Sequence, residues 1–181
     1  HYLTIDLVNY EIIKNKIKHH FETKKYSSKK QAIQSTHDLV MESVNSRMLA
    51  DVPLASFLSG GVDSSIISLC LSKLSSQPID TFSIGFDNPL FDESLNASTV
   101  AKIIGSNHHS FICSDHEMYS ISNELLLNFD EPFSDSSALA SYWVSHHTGK
   151  NFKVALTGDG GDEVFGGYNK YLIGKLSYQY K

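Results

Sequence analysis

The sequence predicts an α/β protein, built as an open parallel sheet with helices on both faces. Three observations predict it. Short β-rich runs alternate with helix-length amphipathic segments from residue 54 onward. Connections that long between strands are crossovers, and crossovers join parallel strands. Finally, two clusters of glycine and aspartate each follow a β-rich run directly, at the carboxyl end where open sheets bind ligands.

Residues 1–30 are polar and Lys-rich (Lys14, Lys16, Lys18, Lys24, Lys25, Lys29, Lys30) and read as a solvated connector. From Ser28 to Met48 the pattern is helical, with Ile33, Val40, Val44 and Met48 on one face and Leu39 alongside. Asp51-Val52-Pro53 then breaks the helix. Leu54–Leu58 is a short apolar run, and Ser64–Leu74 reads as a helix opened by Asp63. Ile79–Phe86 is β-rich. Phe91-Asp92-Glu93-Ser94 leads into a helix with Ala97, Val100, Ala101 and Ile104 inward, which Gly105 is placed to cap. His109–Cys113 is a further strand, followed by a helix over Glu117–Phe129 with Ile121, Leu125 and Leu126 inward. A helix over Ser136–His147 and a strand over Phe152–Thr157 complete the alternation.

Composition narrows the class. A chain of 181 residues, 41% hydrophobic, is long enough for one domain with a substantial core. A net charge of −5 with a single arginine, Arg47, lacks the basic footprint of a nucleic-acid binder. No uncharged apolar stretch approaches the ~18 residues of a membrane span, and no signal-peptide pattern opens the chain. Cys70 and Cys113 have no metal or redox spacing and read as buried thiols of a reducing compartment, which points to the cytoplasm. The doublets His19-His20, His108-His109 and His146-His147 are not chelating pairs, because adjacent residues point to different sides of an element.

The chemistry lies in the two clusters. In Ser59-Gly60-Gly61-Val62-Asp63-Ser64-Ser65 the glycines let the backbone turn so that N–H groups face one anion-sized hollow, which a side chain at Gly60 would fill. The helix N-terminus stands behind that hollow, and Ser59, Ser64 and Ser65 carry hydroxyls suited to phosphate oxygens. Asp63 would repel a phosphate unless a divalent cation bridges the two. The plainer reading makes Asp63 a helix cap. The second cluster, Thr157-Gly158-Asp159-Gly160-Gly161-Asp162-Glu163, continues as Val164-Phe165-Gly166-Gly167-Tyr168. Five glycines in the ten residues 158–167 call for something to come close, and Asp162 could complete a Mg²⁺ site with Asp63. Neither cluster is a Walker A loop, since no Gly-Lys-Ser/Thr occurs, nor a dinucleotide fingerprint, since Glu163 stands where its third glycine belongs.

Ser59-Gly60-Gly61-Val62-Asp63-Ser64 resembles the pyrophosphate loop of the PP-loop ATP pyrophosphatases. With Thr157–Tyr168 it resembles the synthetase domain of asparagine synthetase B-type, glutamine-hydrolysing amidotransferases. Ser46–Pro53, Thr81–Phe86, Asp92-Glu93-Ser94 and Asp130-Glu131-Pro132-Phe133 agree, so the resemblance covers about residues 30 to 172. It implies an α/β PP-loop fold and an ATP-dependent amidation of a carboxylate through an acyl-adenylate, with release of AMP and pyrophosphate. Ser59 to Ser64 would hold pyrophosphate, and Asp63 and Asp162 would ligate Mg²⁺. Leu58 and Ile84 would flank the adenine or its ribose, and Thr157 and Gly158 would contact the nucleotide. Asp159 would stand near the acyl-adenylate, orienting or deprotonating ammonia.

The same resemblance implies a longer protein. Residues 1–30 would be the connector from an upstream glutaminase domain that supplies ammonia, and residues 31–181 a synthetase domain truncated at its C-terminal side, before a helical region whose Lys meets the phosphates. A homodimer is compatible with this reading. Aspartate is the acceptor that family frequency implies. The segment from Asp130 to Leu139 holds no cation, however; its Ser134, Ser136 and Ser137 could bond the hydroxyls of a sugar acid, or with its acids could only cap the helix that follows. A nucleotide-binding module without catalysis is the alternative of a different class.

Overall fold

The computed structural model describes residues 2–16, 25–90, 92–131, 135 and 137–179. Phe91, Pro132-Phe133, Ser134, Ser136, the His19-His20 doublet, and Lys18, Lys24 and Lys181 lie outside the described residues. The chain divides into two compact units, residues 1–36 and 37–181.

In the first unit the stretch read as a connector carries an antiparallel hairpin, β1 (Tyr2–Ile5) paired with β2 (Ile12–Asn15). The Asp6 carboxylate holds its turn by accepting the Val8 and Asn9 N–H groups at 2.8 and 3.1 Å. These bonds set the Asp6 carboxyl below its ordinary value. Both faces of the strands are exposed, so no in–out alternation marked them in the sequence. Helix α1 (Lys29–Arg47) begins in this unit and runs into the second.

The second unit is a four-stranded parallel sheet in the order β5-β4-β3-β6. Its strands are β3 (Leu54–Phe57), β4 (Asp80–Phe86), β5 (Asn107–Cys113) and β6 (Val154–Leu156). Between them lie α2 (Val62–Leu74), α3 (Ser94–Ile104), α4 (Asp115–Leu127) and α5 (Ser137–Thr148). A short α6 (Gly161–Phe165) and α7 (Asn169–Gln179) follow β6. Successive strand side chains go to opposite faces. Leu54 and Leu156 join Val44, Leu71, Cys70 and Ile79 under α1 and α2, whereas Ala55, Phe57 and Phe82 join Phe111 and Val144 under α5. Burying a side chain such as Leu71 or Phe82 contributes about 1.5–3 kcal/mol. Cys70 and Cys113 are both buried free thiols, and burial pushes both up from the ordinary thiol value.

Three expectations about packing need correction. Ile33 (60% exposed) and Leu39 (53%) face solvent, because the stripe that meets the sheet unit is Val40, Met41, Val44 and Met48. Leu126 is 60% exposed, since α4 turns a narrow stripe through Met118, Ile121 and Leu125 inward. The helix after the first glycine cluster is capped by Gly61 in extended conformation, not opened by Asp63, which sits in its first turn. Gly105 takes the left-handed C-cap position at φ 70° as its place in the sequence required.

The strand order creates an opening at one edge of the sheet. From β3 the chain winds outward to β4 and β5, then returns to pair β6 on the other side of β3. The winding reverses at β3, and at the carboxyl edge of the neighbouring strands β3 and β6 that reversal of strand order leaves a crevice.

Candidate active site

That crevice is a cavity of about 1020 Å³. It takes residues from the end of β3 and its loop (Phe57, Leu58, Ser59, Gly61), the first turn of α2 (Val62, Asp63, Ser64), and β4 (Phe82, Ser83, Ile84, Phe86). The loop after β6 and α6 contribute Thr157 through Glu163, with Phe165, Gly167 and Tyr168 beyond. Its far wall is one stripe of α5, Ser137, Ala140, Ser141 and Val144, spaced at helical intervals and mostly small. Of the residues singled out in the sequence, Leu58, Ser59, Gly61, Asp63, Ser64, Ile84, Thr157, Gly158, Asp159 and Asp162 line the cavity. Gly60 and Ser65 do not: the Ser65 hydroxyl donates back to Gly61 O at 2.6 Å along the helix.

The first loop is knitted by its own hydroxyls. Ser59 Oγ and Ser64 Oγ lie 2.9 Å apart, the Ser59 N–H donates to Ser64 Oγ at 3.2 Å, and the Gly61 N–H donates to Ser59 Oγ at 3.2 Å. Two of the amides expected to face an anion are therefore satisfied by serines. The first-turn amides of α2, which have no carbonyl four residues back, are the donors the helix leaves over. Gly60 sits at φ 85°, and a Cβ there would meet Ala97 N and Asn96 Cβ at 2.6 Å. Its lack of a side chain thus serves the approach of α3, not the hollow.

The two clusters meet each other. A Cβ on Gly158 would lie 2.6 Å from Ser64 N, and one on Gly161 would lie 2.5 Å from Asp63 Cγ. A Cβ on Gly167 would collide with the Asp162 carboxylate. Asp63 is thus seated against the bare backbone of Gly161 and Asp162 against that of Gly167, and both line the cavity. Thr157 Oγ1 donates to Asp159 Oδ2 at 2.9 Å and fixes that carboxylate in a local turn.

Nothing in the sequence pattern pairs Glu163 with Tyr168. The Tyr168 hydroxyl donates to Glu163 Oε1 at 2.7 Å, and Lys170 Nζ lies 4.3 Å above the Tyr168 ring. That bond to Glu163 pushes the Tyr168 phenol up to about 12 and the Glu163 carboxyl below its ordinary value. No spacing rule announces the pair, because α6 ends in a left-handed turn at Gly166 before Tyr168 swings back. Glu93 and Asp135 also line the cavity. The Ser137 N–H donates to Asp135 Oδ1 at 2.9 Å and holds its carboxyl low.

Charge defines what this site can hold. Asp63, Glu93, Asp135, Asp159, Asp162 and Glu163 line the cavity, and no Lys, Arg or His does so among the described residues. A polyphosphate enters such a site only with a cation. No group of three or more His, Cys, Asp or Glu side chains suited to a metal occurs among the described residues. Mg²⁺ does not need one, since it commonly takes one or two protein carboxylates and completes its shell with phosphate oxygens and water. Asp63 and Asp162 fit that donor set.

Fold and site define a parallel α/β protein with paired glycine–aspartate loops at a strand crossover. Residues 35–180 match the sequence model of the family described as asparagine synthase. The chain belongs to the asparagine synthase family. It is 38% identical over 139 residues to asparagine synthetase [glutamine-hydrolyzing] 1 of Bacillus subtilis (strain 168), covering 77% of this chain and 22% of that protein. It is 37% identical over 147 residues to putative asparagine synthetase [glutamine-hydrolyzing] 2 of Methanocaldococcus jannaschii, covering 81% of this chain and 28% of the relative. The chain therefore spans about a quarter of the length of these relatives. No helix among the described residues is long and apolar enough to cross a membrane.

Proposed function

We propose that this chain is the ATP-binding synthetase part of a longer, glutamine-hydrolysing amidotransferase of the cytoplasm, and that it activates a carboxylate as its acyl-adenylate. The observation that carries the reading is the meeting of the two glycine–aspartate loops, Gly158 and Gly161 against Ser64 and Asp63, at the reversal of strand order. In this reading a carboxylate oxygen of the acceptor attacks the α-phosphorus of ATP, and the bond to the bridging oxygen breaks to release pyrophosphate. Ammonia from a glutaminase domain then adds to the acyl carbon, and AMP leaves.

The residues divide the work by position. The Ser59–Ser64 loop and the first-turn amides of α2 receive the pyrophosphate, where negative charge gathers as the bond breaks. Leu58 and Ile84 flank the adenine or ribose, and Thr157 and Gly158 contact the nucleotide. Asp63 and Asp162 would hold Mg²⁺. That ion, when bound, neutralises charge on the phosphates. Asp159, oriented by Thr157, stands to orient the incoming ammonia or take a proton from it at its carboxylate.

For the acceptor, the named relatives favour aspartate. One observation favours a sugar acid instead: the cavity is lined by acids without a cation among the described residues, and Ser137 and Ser141 offer hydroxyls on its α5 wall. Aspartate carries two carboxylates and calls for a fixed cation, whereas a uronic acid carries one carboxylate and several hydroxyls. Pyrophosphate release by the full-length protein decides between them. Turnover with aspartate and ammonia, in step with asparagine, supports aspartate. Silence there, with turnover on a uronic acid, makes the sugar-amidating reading the correct one. No ATP turnover with either would remove the amidation reading.

A further inference from the structure

Strands β4 and β5 pair in parallel with Thr81 opposite His108 and Ser83 opposite Ser110. Thr81 is 0% and Ser83 3% exposed. Five polar side chains form a continuous row there. Ser106 Oγ lies 2.8 Å from Thr81 Oγ1, which lies 3.0 Å from His108 Nδ1. His108 Nε2 lies 3.3 Å from Ser83 Oγ, which donates to Ser110 Oγ at 3.2 Å.

Proton counting orders the row. Ser83 gives its only proton to Ser110, so it must accept from His108, and Nε2 carries the hydrogen. Nδ1 is then bare and accepts the Thr81 hydroxyl, and Thr81 in turn accepts from Ser106 at 2.8 Å, a shorter contact than the 3.4 Å from Ser106 Oγ to Ala101 O. Burial of His108 pushes its pKa down, which keeps the ring neutral as this ordering requires. Buried hydroxyls are costly unless partnered, and Thr81 and Ser83, the two buried members, each have a partner on either side. Of the row's members Ser83 lines the cavity, as do Leu58 and Ile84. One lone pair of Ser83 Oγ is filled by His108, and its proton is engaged by Ser110. Held in this way, Ser83 Oγ has acceptor capacity alone to offer a ligand at this part of the cavity, suited to a donor such as the amino group of a base or a sugar hydroxyl.

We infer that His108 is a positioning residue for the nucleoside end of the cavity, acting through Ser83, which it holds as a hydrogen-bond acceptor. The inference rests on the reading of this cavity as an ATP site. Its test is calorimetric titration of Mg-ATP into this chain, with melting curves taken in parallel, for the unaltered protein, His108→Leu, Ser83→Ala and the double variant. Each single variant should bind ATP about three- to tenfold more weakly, the range expected for one hydrogen bond. The double variant should bind no more weakly than Ser83→Ala alone. In the unaltered chain, imidazole nitrogen NMR should show His108 Nδ1 unprotonated and both ring signals shifting on addition of Mg-ATP. That spectrum stands as the test even if His108→Leu fails to fold. Unaltered ATP affinity in a folded His108→Leu, additive losses in the double variant, or an Nδ1-protonated ring would each overturn the role while leaving the ATP site standing. Absence of ATP binding by the unaltered chain would overturn the site itself, and this role with it.

Discussion

At the scale of single residues, the glycines carry the construction of the site. Their density after β6 was legible in the sequence as a demand for close approach. What approaches was not, because the partner lies about a hundred residues away in the chain: Gly158 and Gly161 receive Ser64 and Asp63. Gly161→Ala would set a Cβ against the end of the Asp63 side chain, which can swing aside at little cost in stability. Calorimetry should then show Mg-ATP binding weakened about tenfold or more, as loss of a charged contact worth roughly 1.5–3 kcal/mol requires, with a nearly unchanged melting temperature. Gly60 and Gly160 form a second contrast. Both have left-handed φ, 85° and 88°, but a Cβ at Gly60 meets the backbone of α3 while one at Gly160 meets nothing. Urea unfolding should show Gly160→Ala costing about 1 kcal/mol, the conformational penalty alone. Gly60→Ala should cost roughly 3 kcal/mol or more, because backbone must also move. Equal costs at the two positions would remove the contact with α3 from the explanation.

At the scale of elements, the strands and helices from β3 to β6 were legible because their faces alternate at the periods the sheet and helices impose. The misses have physical reasons. The helix over Glu117–Phe129 starts earlier, at Asp115, where Ser114 and Glu117 cap one another reciprocally: Ser114 Oγ accepts the Glu117 N–H, and Glu117 Oε2 accepts the Ser114 N–H at 2.9 Å. That Ser-x-x-Glu signal was present in the sequence and unread. The β1–β2 hairpin gave no burial pattern to read. Two elements also carry histidines whose burial shows in their titration: His108 on β5 and His147 on α5 are both pushed below the ordinary 6.5, by desolvation first. The unfolded chain then takes up protons at these rings before the folded one does. Stability is therefore full above about pH 6.5 and falls as the pH drops below it toward the folded-state values. Denaturation midpoints should decrease between pH 7 and 5.5, and His147→Gln should flatten that decline. A midpoint that rises on acidification over this range would contradict the assignment.

At the scale of the whole molecule, the sequence made legible that two glycine–aspartate loops share the carboxyl edge of one sheet, and which family carries such a pair. It did not show that β6 returns to pair with β3, which is a long-range contact sealed by Ser56 Oγ donating to Leu156 O at 3.4 Å. Without that pairing the two loops would lie at one edge but apart. With it, Asp63 and Asp162 line the same cavity, and the absence of cationic lining residues among those described makes a divalent ion the condition for binding a polyphosphate. The most direct measurement is a calorimetric titration of ATP into this chain with Mg²⁺ and with EDTA, repeated for Asp63→Ala and Asp162→Ala. ATP should bind only when Mg²⁺ is present, and each substitution should weaken that binding strongly. Binding that is equally tight in EDTA, or unchanged in both variants, would contradict a nucleotide site built on these two aspartates.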